Sequence, residues 1–453
     1  MDNINIILLL LSAGFFVLFS AFSIYEKEFR AALISLIFFS AISVFWIGLT
    51  IWNSTPVVYY CNLFLYFLIL IFLIISAVRY FPGKENIPNE NIEQFDERDH
   101  MFSRMGMQKF PDNAEKYYKE HPDKEASDRK TEKDPALGEP GAKFYDKLFS
   151  PMADSAFTIL DRTSNARSGS VREKKIEVDP AELTRAVNWM ARYYGAVDTG
   201  ITEVKQYHKY IRHGRQADNW GEPVNNRHKY GIVIVVEMDQ DMLKQSPALP
   251  VLLESSKQYV ESAKIAHLVA EYIRELGYDA ISHVDGNYDI LAVPMAEDAG
   301  LGKTGRMGIL VHRKFGPCVR ISVVTTDMPL IVSEKRDEHI EEFCSICKKC
   351  AENCPTGSIS TEAKPTSRNF EHWSVDQDKC YALWRKVGTD CGFCIRVCPY
   401  TKKNTLIHRI IRAYISRNPV NQRIALMMDD IFYGRKFRIM NQDDQKNFLG
   451  SSD

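Results

Sequence analysis

"CSICKKCAENCP", residues 344–355, sets four cysteines at steps of three, three and four and closes on a proline. "CGFCIRVCP", residues 391–399, repeats most of that rhythm with Cys391, Cys394 and Cys398, and Cys380 in "DQDKC" precedes it. A disulfide needs no such spacing. Thiolates bind iron well, and a C-x2-C-x2-C-x3-C-P run lets three sulfurs surround one cubane while the fourth reaches a second. Two such runs cross-ligate, which predicts one 4Fe-4S cluster on Cys344, Cys347, Cys350 and Cys398 and another on Cys380, Cys391, Cys394 and Cys354. The second run departs from the usual spacing, because Cys380 stands eleven residues before Cys391. Zinc ribbons also use paired C-x2-C units; they lack two runs that end in Cys-Pro.

The cysteines outside these runs, Cys61 in an apolar stretch and Cys318 in "FGPCVRI", read as small buried apolar side chains. The 57 basic and 58 acidic residues give a net charge of -1. A nucleic-acid footprint needs a basic excess, so no nucleic-acid partner is expected.

Charge is distributed very unevenly. No charged residue occurs from Ala31 to Val78. Ile6–Ile24, Ala31–Ile51 and Val57–Val78 are each long enough for a bilayer crossing at ~1.5 Å per residue. Such stretches in succession leave no polar face for water, which argues against buried helices of a soluble domain. The start, "MDNIN", has no basic residue and no twin arginine, unlike an export signal. Lys27 and Arg30 lie in the first loop, and Arg79 and Lys84 follow the third span. By the positive-inside rule the first loop and everything after Arg79 face the cytoplasm.

Four segments follow from these patterns: residues 1–80 with three apolar membrane spans, 81–142 as a charged wrapping linker, 143–335 as a layered core of helices and strands, and 336–453 as the two-cluster ferredoxin-like module and tail. Within the core, "DPAELTRAVNWMARYYGA" has an N-cap Asp179, a proline in the first turn and apolar Leu183, Val187, Met190 and Tyr193 at helical spacing, ending at Gly195. "YGIVIVVEM" reads as a buried strand. A stripe of Ile265, Leu268, Val269, Tyr272, Ile273 and Leu276, closed by Gly277, predicts the strongest helix. "DAIS", "DILAVPMA", "MGILVH" and "VRISVVTTDMPL" supply further expected strands. The fold class is therefore α/β, or α+β if strands run antiparallel. The expected ligand loop is "EDAGLGKTGRMG", where Gly300, Gly302 and Gly305 allow close backbone approach and Lys303 and Arg306 add positive charge.

In order along the chain, "FDERDHMFSR", "YYGAVDTGITEV", "IRELGYDAI", "AGLGKTGRMGILV", "TTDMPL", "EFCSICKKCAENCP", "CGFCIRVCP" and "MMDDIF" resemble the corrinoid-dependent reductive dehalogenases. The resemblance implies a nitroreductase-like core binding a cobamide base-off, fed with electrons through the two clusters, and replacement of halide by hydrogen in an organohalide. No D-x-H-x-x-G lower-ligand motif occurs, in keeping with base-off binding. The first eighty residues resemble the membrane anchor that partners these enzymes, with Glu26 and Glu28 of "YEKEFR" matching its paired glutamates. The implied partners are the lipid bilayer, a small-molecule organohalide, an electron donor of quinol or of ferredoxin or flavodoxin type, and, as an open matter, a second copy in a homodimer.

The resemblance assigns Arg306 as the basic catalytic residue and Gly300, Gly302, Lys303 and Gly305 to cofactor binding; Lys303 stands where the family commonly has glutamate. It also requires a tyrosine proton donor roughly sixty residues before the basic one. "EMDQDMLKQSP" (residues 237–247) contains none there, and the next tyrosine is Tyr259, expected to open the long helix. Competing readings are a soluble corrinoid reductase of epoxyqueuosine-reductase type and a membrane-bound iron-sulfur electron carrier.

Overall fold

A computed structural model describes residues 2–52, 55–81, 92–107, 110–336 and 338–450. Asn53 and Ser54, between the second and third expected spans, and Lys84 of the charge pattern lie outside the described residues. The chain divides into two compact units: Met1–Glu85 with Lys402–Phe437, and Asn86–Thr401 with Arg438–Asp453.

The first unit contains α1 (Asp2–Tyr25), α2 (Phe29–Ile51) and α3 (Pro56–Ala77). All three are long and apolar enough to cross a membrane. Large apolar side chains such as Leu10, Leu11, Leu33 and Phe64 point outward, which suits a hydrocarbon solvent and not water. α1 and α2 pack closely enough for the Ser20 hydroxyl to donate to the Ala32 carbonyl at 3.3 Å. Tyr66 of α3 donates to Asn5 Oδ1 at 2.6 Å, satisfying polar groups that lipid would leave bare.

In the second unit a four-stranded sheet runs in the order β1-β2-β6-β3, antiparallel throughout. Its strands are β1 (Asp198–Glu203), β2 (Tyr230–Glu237), β3 (Ala280–His283) and β6 (Val319–Thr326). The all-antiparallel order makes the core α+β. β2 reads as one continuous apolar run because both its faces are covered: Ile232, Ile234 and Val236 enter one core, Val233 and Val235 the other. α4 (Pro180–Tyr193) and α5 (Leu249–Glu275) cover the first face. Asp179 caps α4 by accepting from the Ala181 N–H at 2.8 Å. Leu183, Val187 and Ala191 are its buried stripe, each large aliphatic contributing roughly 1.5–3 kcal/mol on burial. Tyr193, expected in that stripe, is 68% exposed and stacks on Trp189 at the surface.

"DILAVPMA" is not a strand. Residues Ala292–Asp298 form helix α6, whose Met295 and Ala296 cover the second face of the sheet. A short apolar run does not distinguish strand from helix by periodicity, and Pro294 sits in the first turn, where its missing N–H costs nothing. β4 (Gly302–Thr304) and β5 (Leu310–His312) form a small antiparallel ribbon beside it.

The charged segment after the spans is structured as well as wrapped. Helices Pro111–Glu120 and Pro122–Thr131 bury Tyr117, Tyr118 and Asp128. Arg104, 2% exposed, pairs with Asp128 at 3.3 Å and with Asp378. These buried charges are tolerable because each has its counter-charge.

The cysteine runs occupy short helices, Ile340–Cys347, Lys349–Glu352, Gln377–Val387 and Phe393–Arg396. Past Thr401 the chain enters α7 (Leu406–Ile415) and α8 (Pro419–Tyr433), which group with the membrane helices; residues 438–453 return to the second unit. The boundary thus falls inside the stretch read from sequence as a single module.

Candidate functional site

The eight cysteines of the two runs all lie in the second unit, close enough to feel one another's charge. Burial pushes the Cys398 thiol well above its usual range, and the neighbours that add to the shift are Cys344, Cys347 and Cys350. Burial likewise lifts Cys380, with Cys354 next, and Cys391 to about 12, with Cys380 and Cys354 among its neighbours. Cys394 is raised well above its usual range, first by burial and then by Cys391, Cys380, Cys350 and Cys354, so it feels sulfurs of both runs. Among the described residues, no three His, Cys, Asp or Glu side chains are set as a single metal ion requires. Thiolates in C-x2-C-x2-C-x3-C-P runs are the donor set that 4Fe-4S clusters take.

Local backbone makes the runs possible. Lys348, Cys391 and Gly392 adopt positive φ (57°, 45° and 65°), turning the chain sharply between successive sulfurs. Gly316, at φ 60°, lies so close to the second run that an added Cβ would stand 2.4 Å from the Tyr400 carbonyl oxygen. Only glycine meets both requirements.

Arg306 faces the first cysteine run. Its guanidinium donates to the carbonyls of Cys344 (3.0 Å), Ser345 (3.1 Å), Ser360 (2.8 Å) and Glu362 (2.8 Å) and lies 4.0 Å from the Trp373 ring centre. The loop expected to approach a ligand is filled by protein. A Cβ on Gly300 would meet the Glu334 carbonyl oxygen at 2.5 Å, one on Gly302 that of Val311 at 2.2 Å, and one on Gly305 the Val311 side chain at 2.5 Å. Lys303 lies on β4, opposite Val311.

A different set of side chains lies close together. Tyr259, Tyr288, Arg215 and Arg320 are each half-buried, and burial pushes both phenols above their usual range. Tyr259 lies in the middle of α5, ten residues after its start, not at its opening. Arg320 enters from β6 with its guanidinium carbon 5.0 Å from the Tyr259 ring centre. Arg320 Nη2 donates to Ser255 Oγ at 2.6 Å and pairs with Asp390 at 3.3 Å. Ser255 also donates to Asp390. Burial pushes the Tyr259 phenol above its usual pKa, and Arg320 pulls it the other way. Opposite, Arg215 pairs with Asp285 at 3.2 Å. Arg215, Asp285 and Tyr210 are among the charges felt by Tyr288.

Asp390 joins this group of side chains to the second cysteine run. It immediately precedes Cys391, and its charge acts on both Cys391 and Cys380. Arg320 Nε and Asp390 Oδ1 are buried without a partner in the protein, as a site filled by a large polar ligand requires. The residues present therefore fit a bound corrinoid. Sequence reasoning missed Arg320 and Asp390, although an arginine inside the strand "VRISVV" is a buried charge that demands a partner.

Residues 343–402 match the 4Fe-4S dicluster domain family. A tetrachloroethene reductive dehalogenase of Desulfitobacterium hafniense is 35% identical over 231 residues, 49% of this chain and 41% of that protein. That of Sulfurospirillum multivorans is 29% identical over 327 residues, 64% of this chain and 65% of that one. Over these stretches the chain is similar to reductive dehalogenases. It spans less than two thirds of the length of either relative. A catabolic reductive dehalogenase solved with 3-bromo-4-hydroxybenzoic acid shares the fold, with a TM-score of 0.65 at 21% identity over 81% of this chain and 50% of that one. The iron-sulfur module and the mixed helix–strand core agree with the sequence reading; the Tyr259–Arg320 group lies on other elements than the loop it chose.

Proposed function

We propose that the protein is a membrane-anchored reductive dehalogenase: R–X + 2e⁻ + H⁺ → R–H + X⁻, with a base-off cobamide reduced through two 4Fe-4S clusters. The observation that carries this reading is Asp390, which links the Cys380/Cys391 group to the Tyr259–Arg320 pair. Iron is assigned to Cys344, Cys347, Cys350 and Cys398, and to Cys380, Cys391, Cys394 and Cys354.

When bound, the corrinoid supplies a low-potential cobalt able to deliver the electron pair to the carbon–halogen bond. Tyr259, Tyr288, Arg215 and Arg320 would line its site. Tyr259 holds the proton on its phenol oxygen, since burial keeps that phenol neutral. The fixed charge of Arg320 above the ring stabilises the phenolate left when the proton moves to carbon. Ser255 and Asp390 hold Arg320 in place. Arg306 acts as a positioning residue for the first cysteine run.

Lys27, Arg30 and Arg79 support a cytoplasmic second unit, reached there by a ferredoxin, flavodoxin or quinol donor. Anaerobic purification with cobalt, iron and sulfide analysis, followed by a halide-release screen, tests the proposal. Iron without cobalt after reconstitution with cobamide leaves the electron-carrier reading and removes this one.

A further inference from the structure

Residues 402–437 carry eight lysines and arginines against two aspartates, in a chain that is otherwise acidic on balance. They fold as α7 and α8 within the unit that holds the three apolar helices. The turn between them caps the end of α3. Asn418 Nδ2 donates to the Ile75 and Val78 carbonyls at 3.0 and 2.9 Å, Asn421 Nδ2 to Ser76 at 3.0 Å, and Arg417 to Ala77 at 3.4 Å. These are the carbonyls a helix end leaves without partners. At the loop joining α1 to α2, buried His408 of α7 meets buried Glu26 at 3.0 Å. Both contacts lie at the same face of the anchor, where the basic loop residues Lys27, Arg30 and Arg79 are.

α8 also reaches below that face. Phe432 packs on Phe16, Phe19 and Phe38. Phe16 and Phe38 each stand nine residues inside their helices, roughly 13 Å along the axis at the helical rise. On the outward sides, α7 exposes Leu406 and Ile410 beside Arg409, and α8 exposes Val420 and Met427 beside Arg423. Apolar residues alternating with cations on a helix held at a membrane boundary have the composition of an interfacial helix.

We propose that α7 and α8 are a lipid-binding element of this protein, with Leu406, Ile410, Val420 and Met427 sunk into the bilayer surface and Arg409 and Arg423 holding anionic headgroups. The inference rests on the membrane reading of α1–α3 and is independent of dehalogenation. Charge complementarity and continuity with the spans select an anionic leaflet over a protein partner.

The full chain carrying Leu406→Trp or Met427→Trp is reconstituted in nanodiscs containing acyl-brominated phosphatidylcholine or phosphatidylglycerol, which quench tryptophan on contact. Quenching of native Trp46 and Trp52 in the unsubstituted chain reports insertion of the spans. The added tryptophans are expected to be quenched, and brominated phosphatidylglycerol to act at about fivefold lower mole fraction than phosphatidylcholine. Arg409→Glu with Arg423→Glu should abolish that preference. Added tryptophans left unquenched while the native ones are quenched overturn the proposal, as does equal quenching by both lipids; emission that then depends on protein concentration identifies a second copy as the occupant.

Discussion

Arg306→Lys separates two roles for the one cation that sequence alone placed at the active site. The arginine is 2% exposed, and its guanidinium serves four carbonyls spread over residues 344–362 as well as the Trp373 ring. A lysine keeps the charge but brings its donors to one point, so it cannot reach all four. Bonds from a charged donor contribute ~1.5–3 kcal/mol each, and the ring contact adds about 1–2 kcal/mol. Losing half of the bonds and the stacking amounts to roughly 4–8 kcal/mol, a large part of the ~5–15 kcal/mol that holds a domain together. The loop carrying Cys344 and Cys347 should then loosen. Anaerobically purified Arg306→Lys is expected to hold about four irons per chain in place of about eight. The low-temperature electron paramagnetic resonance of the reduced protein should keep one cluster signal. Full iron content with halide release abolished would refute this reasoning and return Arg306 to the substrate.

Three further outcomes follow from the geometry. Tyr259→Phe removes the buried phenol beside Arg320 without changing the ring; halide release should fall ~10²-fold or more with iron and cobalt unchanged, and unchanged turnover would exclude Tyr259 as donor. Burial raises Glu97, whose Oε2 accepts the Gly214 N–H at 2.8 Å, to about 7. The folded state therefore binds more protons than the unfolded between pH ~4.5 and ~7, and stability falls as pH rises through that window, by about 3 kcal/mol in all. Glu97→Gln should flatten that slope in thermal melts of the full chain. Gly316→Ala places a methyl against the Tyr400 carbonyl at positive φ; melting temperature and iron content should both drop, the backbone conformation alone costing about 1–2 kcal/mol.

The sheet illustrates how far local pattern carries. β2 is legible because Ile232–Val236 are five aliphatic residues without alternation, and both faces prove to be covered. α4 is legible from Asp179, Pro180 and the stripe of Leu183, Val187 and Met190. "DILAVPMA" misleads because a short apolar segment buries equally well as strand or helix, and only contact with the second face of the sheet selects α6. The glycines at 300, 302 and 305 mislead for a related reason: close approach was needed, but to Glu334 and Val311 rather than to a ligand.

By itself the sequence determined the three apolar spans and the eight sulfurs, because bilayer thickness and the reach of a cysteine around a cubane act over a few residues of chain. It did not determine which cation faces the reaction. Tyr259, Arg320 and Asp390 come from a helix, a strand and a loop, 61 and 70 residues apart in succession. What brings them together is the packing of α5 on β6 and the cost of burying a charge alone, and such long-range terms leave no periodic trace along the chain.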